Sequence, residues 1–148
     1  IKLLYEDPLI IELLDCSDVD PETPDTAEWT CIFPYIKIPD TQEKIGNFIG
    51  IKVDSEPVRN SELYKRIYIT ISIVCAVPSL QVKGYKGIRT DIISGEIGDL
   101  LNLNESLGFK IELIAEGEGV FQDYNYYYRN MRFEALRSNT SKNCPMKG

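Results

Sequence analysis

Period-two alternation is strongest between residues 63 and 77. There Ile67, Ile69, Ile71, Ile73 and Cys75 alternate with Tyr68, Thr70, Ser72 and Val74. Such a run, rich in β-branched types, predicts a long strand with one face in the core. Pro78, which has no N–H for a ladder, ends its pairing. The same period returns in Phe109, Ile111, Leu113 and Ala115, set against Lys110, Glu112, Ile114 and Glu116. It recurs from Tyr126 to Leu136, where Tyr127, Arg129, Met131, Phe133 and Ala135 alternate with Tyr126, Tyr128, Asn130, Arg132 and Glu134. Strands over 109–116 and 126–136 pair as an antiparallel hairpin, joined by a loop from Gly117-Glu118-Gly119 to about Tyr124. Over 88–103 the period becomes helical, with Ile88, Ile92, Ile93, Ile97, Leu100 and Leu101 on one stripe. Gly95 and Gly98 cost that helix about 1 kcal/mol each relative to Ala. Without side chains they would let it lie close on a sheet, and Asn102 and Asn104 mark its exit.

A shorter helix is predicted over 7–16. Asp7 is its N-cap, Pro8 takes the first helical position, and Leu9, Ile10, Leu13 and Leu14 share a face. Lys2 to Tyr5 either extend it backward or lead separately, and Pro8 disfavours an unbroken helix. Residues 17–30, SDVDPETPDTAEWT, read as an acidic loop whose end is anchored on the body by Trp29 and Phe33. Tyr35 to Ile38, bracketed by Pro34 and Pro39, reads as a short edge strand. Asp40 to Gly46 reads as a polar turn. Phe48 to Val53 is a further strand with Gly50 as a bulge or close-approach site, and 56–62 is a polar loop. Leu80, Gln81 and Val82 form a short return arm or start a loop, followed by a turn at Lys83-Gly84-Tyr85-Lys86-Gly87. The predicted fold is one α+β domain over 1–137, with a mainly antiparallel sheet and two helices. Its strands are about 35–38, 48–54, 63–77, 109–116 and 126–136, and a loose tail covers 138–148.

With 148 residues, 43% hydrophobic and 26% charged, the chain has the composition of a globular domain large enough to bury a core. It contains no histidine. That excludes Ser-His-Asp and Cys-His catalysis, HExxH zinc sites and Cys2His2 fingers. A net charge of -7 argues against general binding to nucleic acid or anionic membranes, which requires Lys and Arg against phosphate. No apolar run is long enough to span a bilayer. Residues 1–15 lack a basic segment followed by a long apolar one, so no signal peptide is expected. Cys16, Cys31, Cys75 and Cys144 are not spaced as zinc pairs and are expected to be reduced, with Cys75 a small core hydrophobe.

Few constellations suggest chemistry. Asp18 and Asp20 hint at a calcium loop, but the EF-hand glycine and closing Glu are not at their spacing, so the segment reads as a solvated acidic loop. The basic cluster Lys83-Gly84-Tyr85-Lys86-Gly87-Ile88-Arg89 precedes a helix but lacks both phosphate-loop patterns, so it reads as a solvated turn. Tyr124, Tyr126, Tyr127 and Tyr128 with Arg129 and Arg132 suggest single-stranded nucleic-acid stacking. Alternation instead divides them between two faces, one entering the core and the other suited to a subunit interface. Glu116 and Glu118 form a carboxylate pair without the aromatic arrangement of a sugar site. No enzyme activity, cofactor or metal is expected.

The stretches KRIYITISIVC, GIRTDIISGEIGDLLN, GFKIELIAEGEG and YYYRNMRFEAL, in that order, resemble the tail terminator (tail-completion) proteins of the neck of tailed bacteriophages. The resemblance covers roughly residues 48–137 as pattern. It implies a structural virion protein made in the bacterial host cytoplasm. Such a protein forms a homohexameric ring that caps the tail tube and joins it to head-closure and connector proteins in head–tail joining. DNA would pass through the lumen without sequence-specific binding, as an acidic wall allows. Ring contacts would be head to tail. Two residue sets are available for them: Tyr126, Tyr128 and Arg132 on the hairpin face, and Lys83, Tyr85 and Lys86 on the loop before the long helix. The loop lysines would meet the 17–30 acids of a neighbour. A head-closure (stopper) protein, a tail-tube-like protein and a non-viral acidic adaptor remain alternatives.

Overall fold

The computed structural model describes residues 1–20, 22–39, 46–60, 63–121 and 125–138. Residues 40–45 of the turn expected over Asp40 to Gly46, together with Tyr124, Cys144 and the residues beyond Ser138, lie outside the described residues. Within them the fold is α+β. A five-stranded sheet has the order β1-β2-β3-β5-β4, formed by β1 (Ile32–Phe33), β2 (Phe48–Pro57), β3 (Tyr64–Ala76), β4 (Ile111–Phe121) and β5 (Tyr126–Ser138). Only the β1–β2 pair is parallel. The helices are α1 (Lys2–Tyr5), α2 (Pro8–Leu14) and α3 (Arg89–Leu101), with 3-10 turns at Pro24–Ala27 and Val77–Ser79.

The helices lie on one face of the sheet. Odd-numbered positions of β3 point toward them: Ile71 pairs Met131, Ile69 pairs Phe133 and Ile67 pairs Ala135. These join Ile93, Ile97 and Leu101 of α3 and Ile10, Leu13 and Leu14 of α2 in the buried set. Asp7 caps α2 as predicted, its carboxylate accepting from the N–H groups of Leu9 and Ile10 at 2.9 and 3.1 Å. Lys2 to Tyr5 form a separate helical turn. Gly98 meets Met131 at ordinary van der Waals distance, whereas Gly95 faces open space. Only one of the two glycines therefore lies against the sheet.

Several boundaries differ from the pattern reading. The predicted edge strand at 35–38 is absent; the edge strand is Ile32–Phe33. After Phe33 the chain crosses over the helix-free face, so that a Cβ on Gly50 would lie 2.7 Å from the Tyr35 carbonyl oxygen. Gly50 is thus a close-approach site. Gly50→Ala is expected to cost about 1–3 kcal/mol by overpacking against backbone, read as a lower urea midpoint with an unchanged slope. This crossing, with Phe33 edge-on to Phe48 at 6.0 Å, explains why residues 71–75 of β3 are buried on both faces. The acidic segment is anchored by Val19, Ala27, Cys31 and Phe33, while Trp29 is 65% exposed and anchors nothing.

The hairpin is longer than predicted, because 117–121 continue β4 instead of forming a loop. A register shift between Leu113 and Ala115 reverses the alternation. Beyond it Ala115, Gly117 and Gly119 lie on the helix-free face, while Glu116, Glu118 and Val120 turn to the helix side. β2 likewise runs on to Pro57. Its outer half, Lys52 to Pro57, is exposed and carries Lys52, Asp54, Glu56 and Pro57, residue types that protect an edge from pairing.

Candidate interface surfaces

On the helix-free face, β2, β3 and β5 place side chains in cross-strand rows. Lys52, Thr70 and Arg132 form one row, Asp54, Tyr68 and Glu134 the next, and Glu56, Arg66 and Leu136 a third. The Arg132 guanidinium lies over the Tyr68 ring, 4.2 Å from its centroid. Tyr68 Oη donates to Glu56 at 2.9 Å, and Arg66 pairs with Glu134 at 2.6 Å. Tyr126 and Tyr128 share this face, as alternation requires, but both are half-buried against the core. The Tyr128 ring stacks on Phe121 at 4.3 Å and occupies the space above Gly119. Arg132 alone of the three is exposed.

The loop carrying Lys83, Tyr85 and Lys86 is exposed, turning through Gly84 and Gly87 at φ +87 and +103 and closed by a Gln81–Ile88 bridge. The Val77 N–H donates to Asn125 O at 2.9 Å, which brings the start of this loop to the same end of the sheet as Tyr126. Arg132 stands six residues further along β5, about 20 Å away at strand rise. The predicted residues therefore form two patches.

Arg89 does not belong to the solvated basic cluster. It is 8% exposed, and its Nε donates to Ser79 O at 2.7 Å while Nη1 donates to Leu13 O. Asn47 completes the arrangement. Its Nδ2 donates to Leu14 O at 3.1 Å, and its Oδ1 accepts from Ser79 Oγ at 2.6 Å and from the Ala76 N–H at 3.3 Å. The carbonyls at the end of α2 would otherwise be unpaired. Sequence reading missed this lock, because its partners come from four separate elements. Burial pushes the Cys75 thiol up to about 12 despite the Arg89 charge beside it. Cys31 is pushed up by burial and by its contact with Cys16, so both buried thiols stay protonated.

Glu116 and Glu118, the carboxylate pair of the sequence, pair with Arg129 at 3.5 and 3.4 Å, and Asp91 joins at 3.0 Å. Asp91, Glu116 and Arg129 line a cleft of about 410 Å³ between α3 and the hairpin, together with Gly95, Gly98 and Met131. The Glu118 hydrogen bond raises the Tyr127 hydroxyl above its ordinary value. Among the described residues no cluster of three or more Cys, Asp or Glu is arranged to hold a metal. Asp18 and Asp20 follow this pattern: Asp20 accepts from the Glu22 N–H in a local turn. An apolar groove of about 360 Å³ opens on the helix side, between α1 and the outer halves of β2 and β3. No described helix is long and apolar enough to cross a membrane.

These features define a small α+β protein whose buried polar side chains mainly brace the fold and whose exposed surfaces offer contacts. A model of the YomW family matches residues 2–135, and the chain belongs to that family. The family name suggests a protein of phage type. No curated protein matches it.

Proposed function

We propose that this chain is a structural subunit of a tailed-phage neck, the tail terminator that caps the tail tube as a closed hexameric ring and joins it to the head connector. The observation that carries the reading is the half-covered sheet. α3 packs on one face; the other leaves Arg132 exposed over Tyr68, with the half-buried Tyr126 and Tyr128 further along the same face, residue types that anchor interfaces. Membership of a phage-type family supports it. The protein performs no turnover and needs no cofactor; DNA passes through the ring unread, since a net charge of -7 gives phosphate little to hold. A head-closure protein of the same neck is the second reading. Helix α3 across the sheet favours the terminator, because head-closure proteins are more purely β.

Mass photometry and negative-stain electron microscopy test this directly. A closed ring is expected, and a monomer stable at micromolar concentration would overturn the reading in favour of an adaptor domain. Replacing Tyr126, Tyr128 and Arg132 by Ala is expected to leave a folded monomer. Arg132→Ala alone, exposed and outside the core, is expected to weaken assembly without lowering the melting temperature. Lys83→Ala with Lys86→Ala is expected to reduce the salt sensitivity of assembly. Rings that survive all of these substitutions would show that the contacts lie elsewhere.

A further inference from the structure

Cys16 and Cys31 stand at the two ends of the acidic segment, and the fold brings them together. Cys16 follows the left-handed cap of α2 at Asp15, and Cys31 directly precedes β1. The start of β2 holds both ends. Asn47 Nδ2 donates to Leu14 O at 3.1 Å, and two residues on the Ile49 N–H donates to Cys31 O at 2.8 Å. The Cys31 N–H in turn donates to Ala27 O at 3.0 Å. Cys16 packs against the core that contains Cys31, and the two side chains hydrogen-bond to each other. A disulfide forms only where the backbone already holds two thiols together, and here the start of one strand holds both.

The two thiols differ in access. Cys31 is buried, whereas Cys16 is half-buried and lines a surface cavity of about 320 Å³ with Pro8, Ile11, Ser17 and Val19. A dissolved reagent therefore reaches Cys16 first, and Cys31 reacts only through Cys16. Glu12 and Asp15 line the same cavity, which favours a cationic or uncharged reagent over an anionic one. Cys75 is fully buried in β3 beside Arg89 instead of beside another thiol.

We propose that Cys16 and Cys31 are an exchange pair. Cys16 takes up a low-molecular-weight disulfide and Cys31 resolves it, leaving an intramolecular bridge that closes residues 17–30 into a covalent loop. In the first step the Cys16 thiolate attacks one sulfur of the reagent and breaks its S–S bond. A mixed disulfide forms on Cys16, and the departing thiolate takes up the proton that Cys16 released. In the second step the Cys31 thiolate attacks Cys16 Sγ and expels the other half of the reagent, which takes up the Cys31 proton. Two cysteine thiols are oxidised, and one reagent disulfide is reduced to two thiols. Burial holds the Cys31 thiol above its ordinary range, so the second step is the slower one and speeds up as pH rises. Among cytosolic thiols the pair stays reduced, and in oxidising surroundings it bridges. The switch does not rest on the reading of the chain as a ring subunit, although that reading would carry the chain from the first setting to the second.

The test uses the full chain with Cys144→Ser, which removes a competing thiol, and cystamine as the disulfide. A cysteamine adduct on Cys16 is expected first, giving way to a bridge between Cys16 and Cys31 in non-reducing peptide mass spectrometry. Cys75 should stay free and alkylate only after unfolding. Closing a loop of about 15 residues should raise the melting temperature by about 6–12 °C, and dithiothreitol should reverse the rise. Cys31→Ala should stop the reaction at the Cys16 adduct with no such rise. Cys16→Ser, at a half-buried position, serves should Cys31→Ala fail to fold, and is expected to leave Cys31 unmodified. An unreactive Cys16, an adduct that persists there with Cys31 present, a bridge between two copies, or a bridge without a higher melting temperature would overturn the proposal. So would modification of Cys31 in the Cys16→Ser chain. None of these outcomes bears on ring formation, which mass photometry reads separately.

Discussion

Ile97→Asp is expected to leave no folded domain. Ile97 is fully buried in the middle of α3, in a core cluster with Ile93, Leu101, Ile71, Met131 and Phe133. Removing a branched aliphatic side chain there costs about 2–5 kcal/mol. Placing a carboxylate in the same space adds the penalty of an unpaired buried charge, or of the protonation that relieves it. The sum exceeds about 5 kcal/mol, comparable to the whole stability of an ordinary domain at about 5–15 kcal/mol. Loss of amide dispersion in a two-dimensional NMR spectrum and loss of the cooperative thermal transition would record it. Ile97→Val is the matched control and is expected to cost only about 0.5–1.5 kcal/mol. A folded Ile97→Asp variant with wild-type melting behaviour would mean that α3 does not pack on the sheet through this residue.

Arg89→Ala is expected to cost about 3 kcal/mol without touching an exposed surface. The guanidinium stands in the first turn of α3, where the helix field disfavours a cation. It is there because it serves another helix, meeting the carbonyl of Leu13 at the end of α2 while bonding Ser79 O at 2.7 Å. Hydrogen bonds from a charged donor are worth about 1.5–3 kcal/mol each, and truncation strands two acceptors. At about 2–4 °C per kcal/mol for a chain of this size, the melting temperature should fall by about 6–12 °C. Arg129→Ala makes the contrast. Its three carboxylate partners are largely solvated, so its loss is expected to stay within about 1 kcal/mol. Equal effects of the two substitutions in a denaturant titration would contradict this assignment.

Periodicity located the main elements because burial on one face imposes it directly. The alternation from Ile67 to Cys75 became the central strand, the stripe from Ile92 to Leu101 became α3, and Asp7-Pro8 started α2. Gly50 was legible as a bulge or a close approach, the two uses of a missing Cβ in a strand, and the Tyr35 backbone makes it the second. Of the candidate contacts, alternation correctly placed Tyr126, Tyr128 and Arg132 on one face of the hairpin.

Tertiary structure decided the rest. Pattern could not locate the edge strand, because Ile32–Phe33 is two residues long and its pairing with β2 is parallel and non-local. It could not foresee the reversal after Leu113, since one bulged residue exchanges the faces of everything beyond it. The burial of Arg89 was invisible because its acceptors are the backbone carbonyls of Leu13 and Ser79, and a carbonyl leaves no trace in side-chain sequence. The Asn47–Ser79 bond was invisible because it joins side chains from distant segments. Trp29 reads as an anchor by composition, and only its place outside the edge of the sheet leaves it exposed. Sequence by itself determined an acidic α+β domain without histidine chemistry and the order of its long elements, because local periodicity and residue inventory suffice for both. Which faces are covered, which charges are buried and which apolar surfaces stay open were decided only in three dimensions, because each depends on contacts between residues far apart in the chain.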